Sequence, residues 1–190
     1  MFRISNFTTQ PLLRPRYIQP MRLRYIQNGV DRTWEAVKSH DSVAVLLYHT
    51  DHNAFVLVKQ FRAPVFMNYK EHTCTYELCA GIIDKPCSVE QIVKEEINEE
   101  CGYDVPLETI KRITSFFTNV GVSGSKQYLF YAEIDDTMQV HCGGGIESEE
   151  IIVEYLPLQD AKVFMYDETK AKTPGLLFAF EWFFGEKSSV

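Results

Sequence analysis

The chain has 190 residues, 45% of them hydrophobic and 13% aromatic, which suits one packed domain and argues against disorder. A net charge of −7 and a pI near 5.3 exclude the basic footprint of a nucleic-acid groove, but leave an anionic small substrate open, since a bound divalent cation reverses the local sign. Five cysteines, an odd number without a C-x-x-C pair, argue against a disulfide framework or zinc ribbon and fit reduced thiols in a cytoplasmic protein.

Residues 1–20 contain three prolines and many polar residues, and read as an irregular arm. They lack an apolar core of signal-peptide length, and no apolar run reaches 18 residues, so neither secretion nor a membrane partner is expected. Met21–Gln27 alternates like a strand and Asn28-Gly29 is a turn signal, with Thr33–Lys38 a second short strand. SVAVLLY at 42–48 is a β-branched and aliphatic run of the kind that forms a buried strand, and AFVLVKQF at 54–61 returns after Asp51-His52-Asn53 as its hairpin partner. Residues 63–73 read as a loop, and Thr75–Cys79 as a short strand running into Ala80-Gly81.

A helix follows, with Ser88 as N-cap, Gln91 three residues on, and Gly102 as a left-handed C-terminal cap. Ile110–Thr118 and Gln127–Ile134 alternate like paired strands around the small-residue loop VGVSGS. Gly143-Gly144-Gly145 reads as a flexible joint before the acidic run IESEE, and Ile151–Leu156 as another strand. Residues 158–166 and 173–185 read as helices, the second strongly apolar and suited to core or interface packing. Strands and helices mix without strict βαβ alternation, which predicts an α/β fold with a mixed sheet and helices on its faces.

The chemistry concentrates at Glu96, Glu99 and Glu100, spaced i, i+3, i+4 on one helix face. At about 100° per residue, Glu96 and Glu100 fall within roughly 20° of Val89, between Ile92 and Val93. The acids therefore share the apolar side and face the protein body. Buried charge of one sign is costly unless paired or bound to a cation.

Residues 81–103, GIIDKPCSVEQIVKEEINEECGY, resemble the Nudix box, G-x5-E-x7-R-E-U-x-E-E-x-G-U with U apolar. Gly81, Glu96, Ile97, Glu99, Glu100, Gly102 and Tyr103 match in register, while Cys87 and Glu95 stand where the family has Glu and Arg, residues that hold the loop and helix geometry. Lys94 projects about 100° away from the Arg position and does not simply replace it. Further stretches in order (RLRYIQNG, HDSVAVLL, LVKQFR, YELCAGIIDKP, EECGY, VGVSGSKQ, GGGIESEE) are similar to the UDP-sugar pyrophosphatase branch, relatives of the ADP-ribose pyrophosphatases.

The resemblance implies a Nudix-type α/β/α sandwich over residues 37–190, with an N-terminal arm and β extension over 1–36 that dimerises by crossing onto a partner copy. It implies Mg²⁺, or Mn²⁺, held by Glu96, Glu99, Glu100 and the Ala80 carbonyl, consistent with the preference of these ions for oxygen ligands. Arg62 matches a phosphate-binding arginine of the relatives. Glu147, then Glu149, is the candidate general base, carried on a loop closing over cation and substrate. The implied reaction is UDP-glucose plus water giving UMP and glucose 1-phosphate. The alternatives are ADP-ribose hydrolysis, or a binding module weakened by the Cys87 and Glu95 departures.

Tyr25 and Trp34 are candidate platforms for the uracil ring, although strand aromatics more often serve core or interface. Cys87 and Cys101 have no histidine nearby in sequence to activate them as nucleophiles. His40, His49, His52, His72 and His141 show no metal-ligand spacing and read as surface or core histidines.

Overall fold

The structure, a computed structural model, describes residues 2–15, 18–146 and 149–187. The first regular element is a hairpin of β1 (Gln19–Gln27) and β2 (Val30–Lys38), a two-stranded sheet separate from the main one. Asn28 and Gly29 at its tip both have positive φ, 53° and 78°, so pairing resumes at once with Gln27 opposite Val30. That tight turn is why β2 starts at Val30, earlier than Thr33. The hairpin meets the body through Val37 N–H to the Val122 carbonyl and the Trp34 indole to the Gly121 carbonyl.

The main sheet has seven strands. Its centre is β3 (Ser42–His49), paired in parallel along its whole length with β8 (Lys126–Ile134). β7 (Lys111–Phe117) lies antiparallel on the far side of β8, and β4 (Ala54–Gln60) pairs antiparallel with β9 (Ile151–Pro157). β3 and β4 pair only near their shared turn, at Leu47–His49 and Ala54–Val56. Beyond that point they diverge, and the run 75–82 fills the gap. β5 (Thr75–Glu77) pairs with the end of β4, and β6 (Cys79–Ile82) with the start of β3. This wedge holds Ala80 and Gly81 within the sheet.

Alternation along the central strands divides the core in two. Val43, Val45, Leu47, Phe130 and Ala132 pack on one face against Ile92, Val93 and Ile97 of the segment after Ser88. Ala44, Leu46, Phe55, Leu57 and Leu129 pack on the other, against α3 (Leu158–Tyr166) and α4 (Pro174–Lys187). The architecture is the expected α/β/α sandwich with a mixed sheet. α4 supplies the buried Leu176, Ala179, Phe180 and Phe183, and Phe180 stacks on Phe55 at 4.3 Å between ring centroids. No helix among the described residues is long and apolar enough to cross a membrane.

Two elements differ from the sequence reading. Residues 63–73 contain a short helix, α1 (Ala63–Asn68), where a loop was expected. A proline in its first turn presets the backbone, but six residues are too few to display periodicity. Phe7 of the arm packs edge-on against Phe66 of this helix at 5.2 Å, with Lys70 over both rings.

The second difference is the triglycine segment, which is docked in place where a free joint was expected. Gly144 N–H donates to the Glu100 carbonyl at 2.9 Å and Gly145 N–H to the Glu99 carbonyl at 3.1 Å. Gly143 has φ +69°, and a Cβ there would lie 2.3 Å from the Glu100 carbonyl oxygen, so a side chain is barred by both conformation and space. The glycines satisfy carbonyls left open at a helix end.

The stacked Phe55–Phe180 contact sets a stability test. Phe180→Ala should lower the unfolding free energy by about 3–5 kcal/mol, the usual cost of emptying a buried aromatic site. Urea denaturation followed by circular dichroism measures it, and a loss under 1 kcal/mol would contradict the packing described.

Candidate active site

The site is built where the wedge strand meets the helix that follows it. Ser88 Oγ accepts the Gln91 N–H at 3.2 Å and starts α2 (Val89–Glu96). The chain then widens into one π-helical turn, Ile97–Cys101, and stops at Gly102 with φ 82°. All three glutamates of the predicted face lie at or inside this transition. A π turn changes the angular spacing, so the constant 100° per residue used on the sequence does not apply beyond Glu96. The inward direction nevertheless agrees: Glu100 is 4% exposed, while Glu96 and Glu99 are partly buried.

Glu100 Oε2 accepts the Ala80 N–H at 2.9 Å, which ties the helix end to the wedge. Ala80 thus meets the cluster through its amide. Gly81 is the second fixed point. A Cβ on it would stand 1.9 Å from Glu96 Oε1, so glycine is required for the carboxylate to lie against the strand.

Burial raises the Glu96 carboxyl to about 7, with the charge of Glu99 adding to it and Lys85 opposing it. Burial likewise pushes Glu100 up to about 8, against the Ala80 hydrogen bond and helped by Glu96. A cation bound beside these desolvated carboxylates would favour their ionised forms. An all-oxygen, acidic donor set fits a hard divalent ion, and the glycine at position 81 leaves the carboxylate room to approach. Glu96, Glu99 and Glu100 therefore have the chemistry to hold such an ion.

Arg62 lies beside this cluster. Its Nε and Nη2 donate to the two oxygens of Glu77, both at 2.7 Å, a bidentate pair that holds the guanidinium above its ordinary pKa, with Glu100 and Glu149 contributing. Thr75 Oγ1 also donates to Glu77. Glu77, buried on β5, is a positioning partner for which the sequence offered no signal beyond its place before Leu78.

Glu149 lies close enough to raise both Glu96 and Glu100. Its Oε2 accepts the Ile146 N–H at 3.2 Å and packs on Gly145, closing a small loop. Glu147 lies outside the described residues. A cleft of about 380 Å³ adjoins the cluster at Glu77 and Ala80, and is lined also by Phe116, Asn119, Gln127 and Thr173. Tyr25 and Trp34 are not among its lining residues; both lie on the hairpin, 42% and 52% exposed.

No protein-family model matches the chain. It is 37% identical to the uridine diphosphate glucose pyrophosphatase NUDT14 of Bos taurus, over 97% of this chain and 96% of the relative. It is 33% identical to the protein of the same name from Mus musculus, over 98% and 96%. A GDP-mannose pyrophosphatase of Pectobacterium atrosepticum is 32% identical over 67% of this chain and 64% of its own length. The chain belongs to the Nudix hydrolases, in their nucleotide-sugar pyrophosphatase branch.

Within this Nudix chain the two departures from the box have a structural answer. Glu95, at the arginine position, bonds Lys85 at 2.7 Å and accepts from Gln91. The loop before the helix is thus tied by an ion pair of reversed polarity, with the cation on the loop and the acid on the helix. Lys94 is occupied elsewhere, with Asp104 at 2.9 Å. Lys85, two residues before Cys87, was the residue to examine; it escaped notice because it lies outside the family spacing. Sequence reading also separated the histidines, yet the fold brings His49, His52 and Asp136 together.

The raised carboxyls predict a pH dependence for protein stripped of divalent cations. Folded Glu96 and Glu100 bind protons more tightly than the unfolded chain, whose carboxyls titrate near 4.5. Their contribution is therefore fully present below that value and is lost as pH rises through about 7 to 8. The melting temperature in EDTA should fall across this window, and millimolar Mg²⁺ should restore it. A melting temperature that rises from pH 5 to 8 in EDTA would contradict the site described.

Proposed function

We propose that this chain cleaves the diphosphate of nucleoside diphosphate sugars in a divalent-cation-dependent reaction, with UDP-glucose as preferred substrate and UMP and glucose 1-phosphate as products. The observation that carries this reading is the inward placement of Glu96 against Gly81 and of Glu100 on the Ala80 amide, with Glu99 beside them, within a chain related along its length to UDP-glucose pyrophosphatases. Glu96, Glu99 and Glu100 would hold Mg²⁺ or Mn²⁺, together with the Ala80 carbonyl. When bound, the cation neutralises diphosphate charge and acidifies water.

The chain's own groups do the rest. Arg62 is already oriented by Glu77 through one edge of its guanidinium, and its other edge is offered to a phosphate oxygen. A water oxygen attacks one phosphorus, the bridging P–O bond breaks, and the proton from water goes to a carboxylate of the 143–150 loop. Glu147 is the first candidate for that base and Glu149 the second. Gly144 and Gly145 are bonded to the carbonyls of Glu100 and Glu99, which supports a base from this segment acting beside the cation ligands. The cleft beside Glu77 and Ala80 is the volume available for the rest of the substrate.

The reading extends to a homodimer in the cytoplasm. Met21, Leu23, Tyr25, Ile26, Val30 and Trp34 of the hairpin are each at least 38% exposed, and a two-stranded ribbon this apolar is marginal in water by itself. A partner copy would cover it and bring Tyr25 and Trp34 within reach of a uracil ring. GDP-mannose is a second substrate to weigh, because of the bacterial relatives, and ADP-ribose a third.

Incubation with Mg²⁺ and each of UDP-glucose, GDP-mannose and ADP-ribose, followed by chromatography of the nucleotides, tests the reading. UDP-glucose should give the highest kcat/KM; the absence of turnover on all three would refute it. Glu100→Gln should lower kcat by at least about 10²-fold, as loss of a key catalytic charge does. Glu147→Gln should lose a similar factor and Glu149→Gln less, since the latter carboxylate is engaged with the Ile146 amide. Near-normal turnover by Glu147→Gln would transfer the base to Glu149.

A further inference from the structure

His49 ends β3, His52 lies three residues on in the turn to β4, and Asp136 follows β8. β3 and β8 run parallel with His49 opposite Ile134, so the topology delivers all three to one end of the sheet. Their ligand atoms lie within 4.8 Å of one another. His49 Nε2 stands 3.4 Å from Asp136 Oδ1, and His52 Nε2 is hydrogen-bonded to the same oxygen at 2.9 Å, a bond an ion would replace. Ligands bonded at about 2.0–2.1 Å to a tetrahedral ion are separated by about 3.3–3.4 Å. The first distance already matches that edge, and the second needs a few tenths of an ångström.

The decisive feature is His49. Its side chain is 0% exposed, and its Nε2 has no hydrogen-bond partner. The contact with Asp136 lacks the alignment of a hydrogen bond, so a buried nitrogen is aimed into the cluster without being satisfied, an arrangement that calls for an explanation. Burial, then His52, holds this imidazole below its ordinary pKa despite Asp136, Asp51 and Asp135, which favours the neutral ring. The Asp136 N–H bonds Asp51 Oδ2 at 3.0 Å, and the His49 ring lies edge-on to Tyr103 at 5.7 Å, so two of the three donors are pre-positioned. The His52 N–H donates to His49 Nδ1 at 3.4 Å. Coordination through Nε2 would move the ring proton to Nδ1 and replace this long hydrogen bond.

We propose that His49, His52 and Asp136 form a second metal site, separate from the glutamate cluster and selective for Zn²⁺-like ions over Mg²⁺. Two imidazoles and one carboxylate suit Zn²⁺, Co²⁺ or Ni²⁺, whereas the all-carboxylate cluster suits hard ions. The fourth position faces solvent, since His52 and Asp136 are 51% and 63% exposed. The ion would clip the β3–β4 turn to the end of β8.

The test uses the full chain with Glu96→Gln and Glu100→Gln, which silence the other cluster, titrated with Co²⁺ by visible absorption and with Zn²⁺ by calorimetry. The expected result is one site with nitrogen-ligand d–d bands, and a Zn²⁺ affinity at least about tenfold weaker when His52→Ala or Asp136→Asn is added. Both added changes are at exposed residues, and in the otherwise natural chain they should leave Mg²⁺-supported hydrolysis unchanged. Zn²⁺ should raise the melting temperature of the glutamate-silenced chain but not of the same chain carrying His52→Ala. Absence of binding in the glutamate-silenced chain, or binding unaffected by His52→Ala and Asp136→Asn, would overturn the proposal and leave hydrolysis by the glutamate site untouched.

Discussion

Glu96 lies against Gly81, Glu100 sits buried on the Ala80 amide, and Glu99 is near enough to act on Glu96, so one end of the helix gathers acidic side chains at the sheet. Lys85 opposes from the loop, the Ala80 amide and the Cys79 side chain bond Glu100, and Arg62 pairs through one edge with Glu77, yet both Glu96 and Glu100 stay raised. The rest of the fold can be understood as the apparatus that tolerates this arrangement. Divergence of β3 and β4 opens the sheet for the wedge strand. The wedge presents a residue without a side chain to Glu96 and an amide to Glu100. Two cores then clamp the sheet from both faces, so the backbone that carries the carboxylates is held by packed structure. A site that is unfavourable when empty and rigid is one in which cation binding recovers the cost.

The same economy of motion extends to the glycine run at 143–145. Its three glycines are the means by which backbone reaches backbone. With Gly143 against the Glu100 carbonyl, and Gly144 and Gly145 bonded to the carbonyls of Glu100 and Glu99, this run is anchored to the backbone of two residues of the glutamate cluster. Groups fixed in advance in this way need no reorganisation when charge develops nearby.

Much of this was legible in the chain, and for definite reasons. The buried strands at 42–48 and 54–61 are long apolar runs, Ser88 and Gly102 are strong helix punctuation, and the Glu96/Glu100 azimuth relative to Val89 gave the inward direction. What escaped was of two kinds. Features of a single turn carry no periodicity, so α1 and the π turn at Ile97–Cys101 were invisible. Partnerships across long sequence distance carry no local mark either. Nothing near Arg62 names Glu77, nothing near His49 names Asp136, and the glycine run gives no hint of the carbonyls it caps. Glycine in particular is ambiguous in sequence, since flexibility and close approach demand the same residue.

The ion pair between Lys85 and Glu95 shows why a motif is better read as a set of forces than as a string. The family pattern places an acid in the loop and a base on the helix; here the acid is on the helix and the base in the loop. Coulomb attraction does not distinguish the two, so the loop can be tied to the helix either way. The pair is half-exposed and modest in strength. Its position carries a consequence all the same. Lys85 is the cation that lowers the Glu96 carboxyl, so in this chain the loop tie also acts on the cluster. In the family arrangement the loop residue at this tie is an acid, which would add to the repulsion. Reversal of the pair therefore moves a positive charge toward Glu96, and the substitutions at 87 and 95 are compatible with a working glutamate cluster.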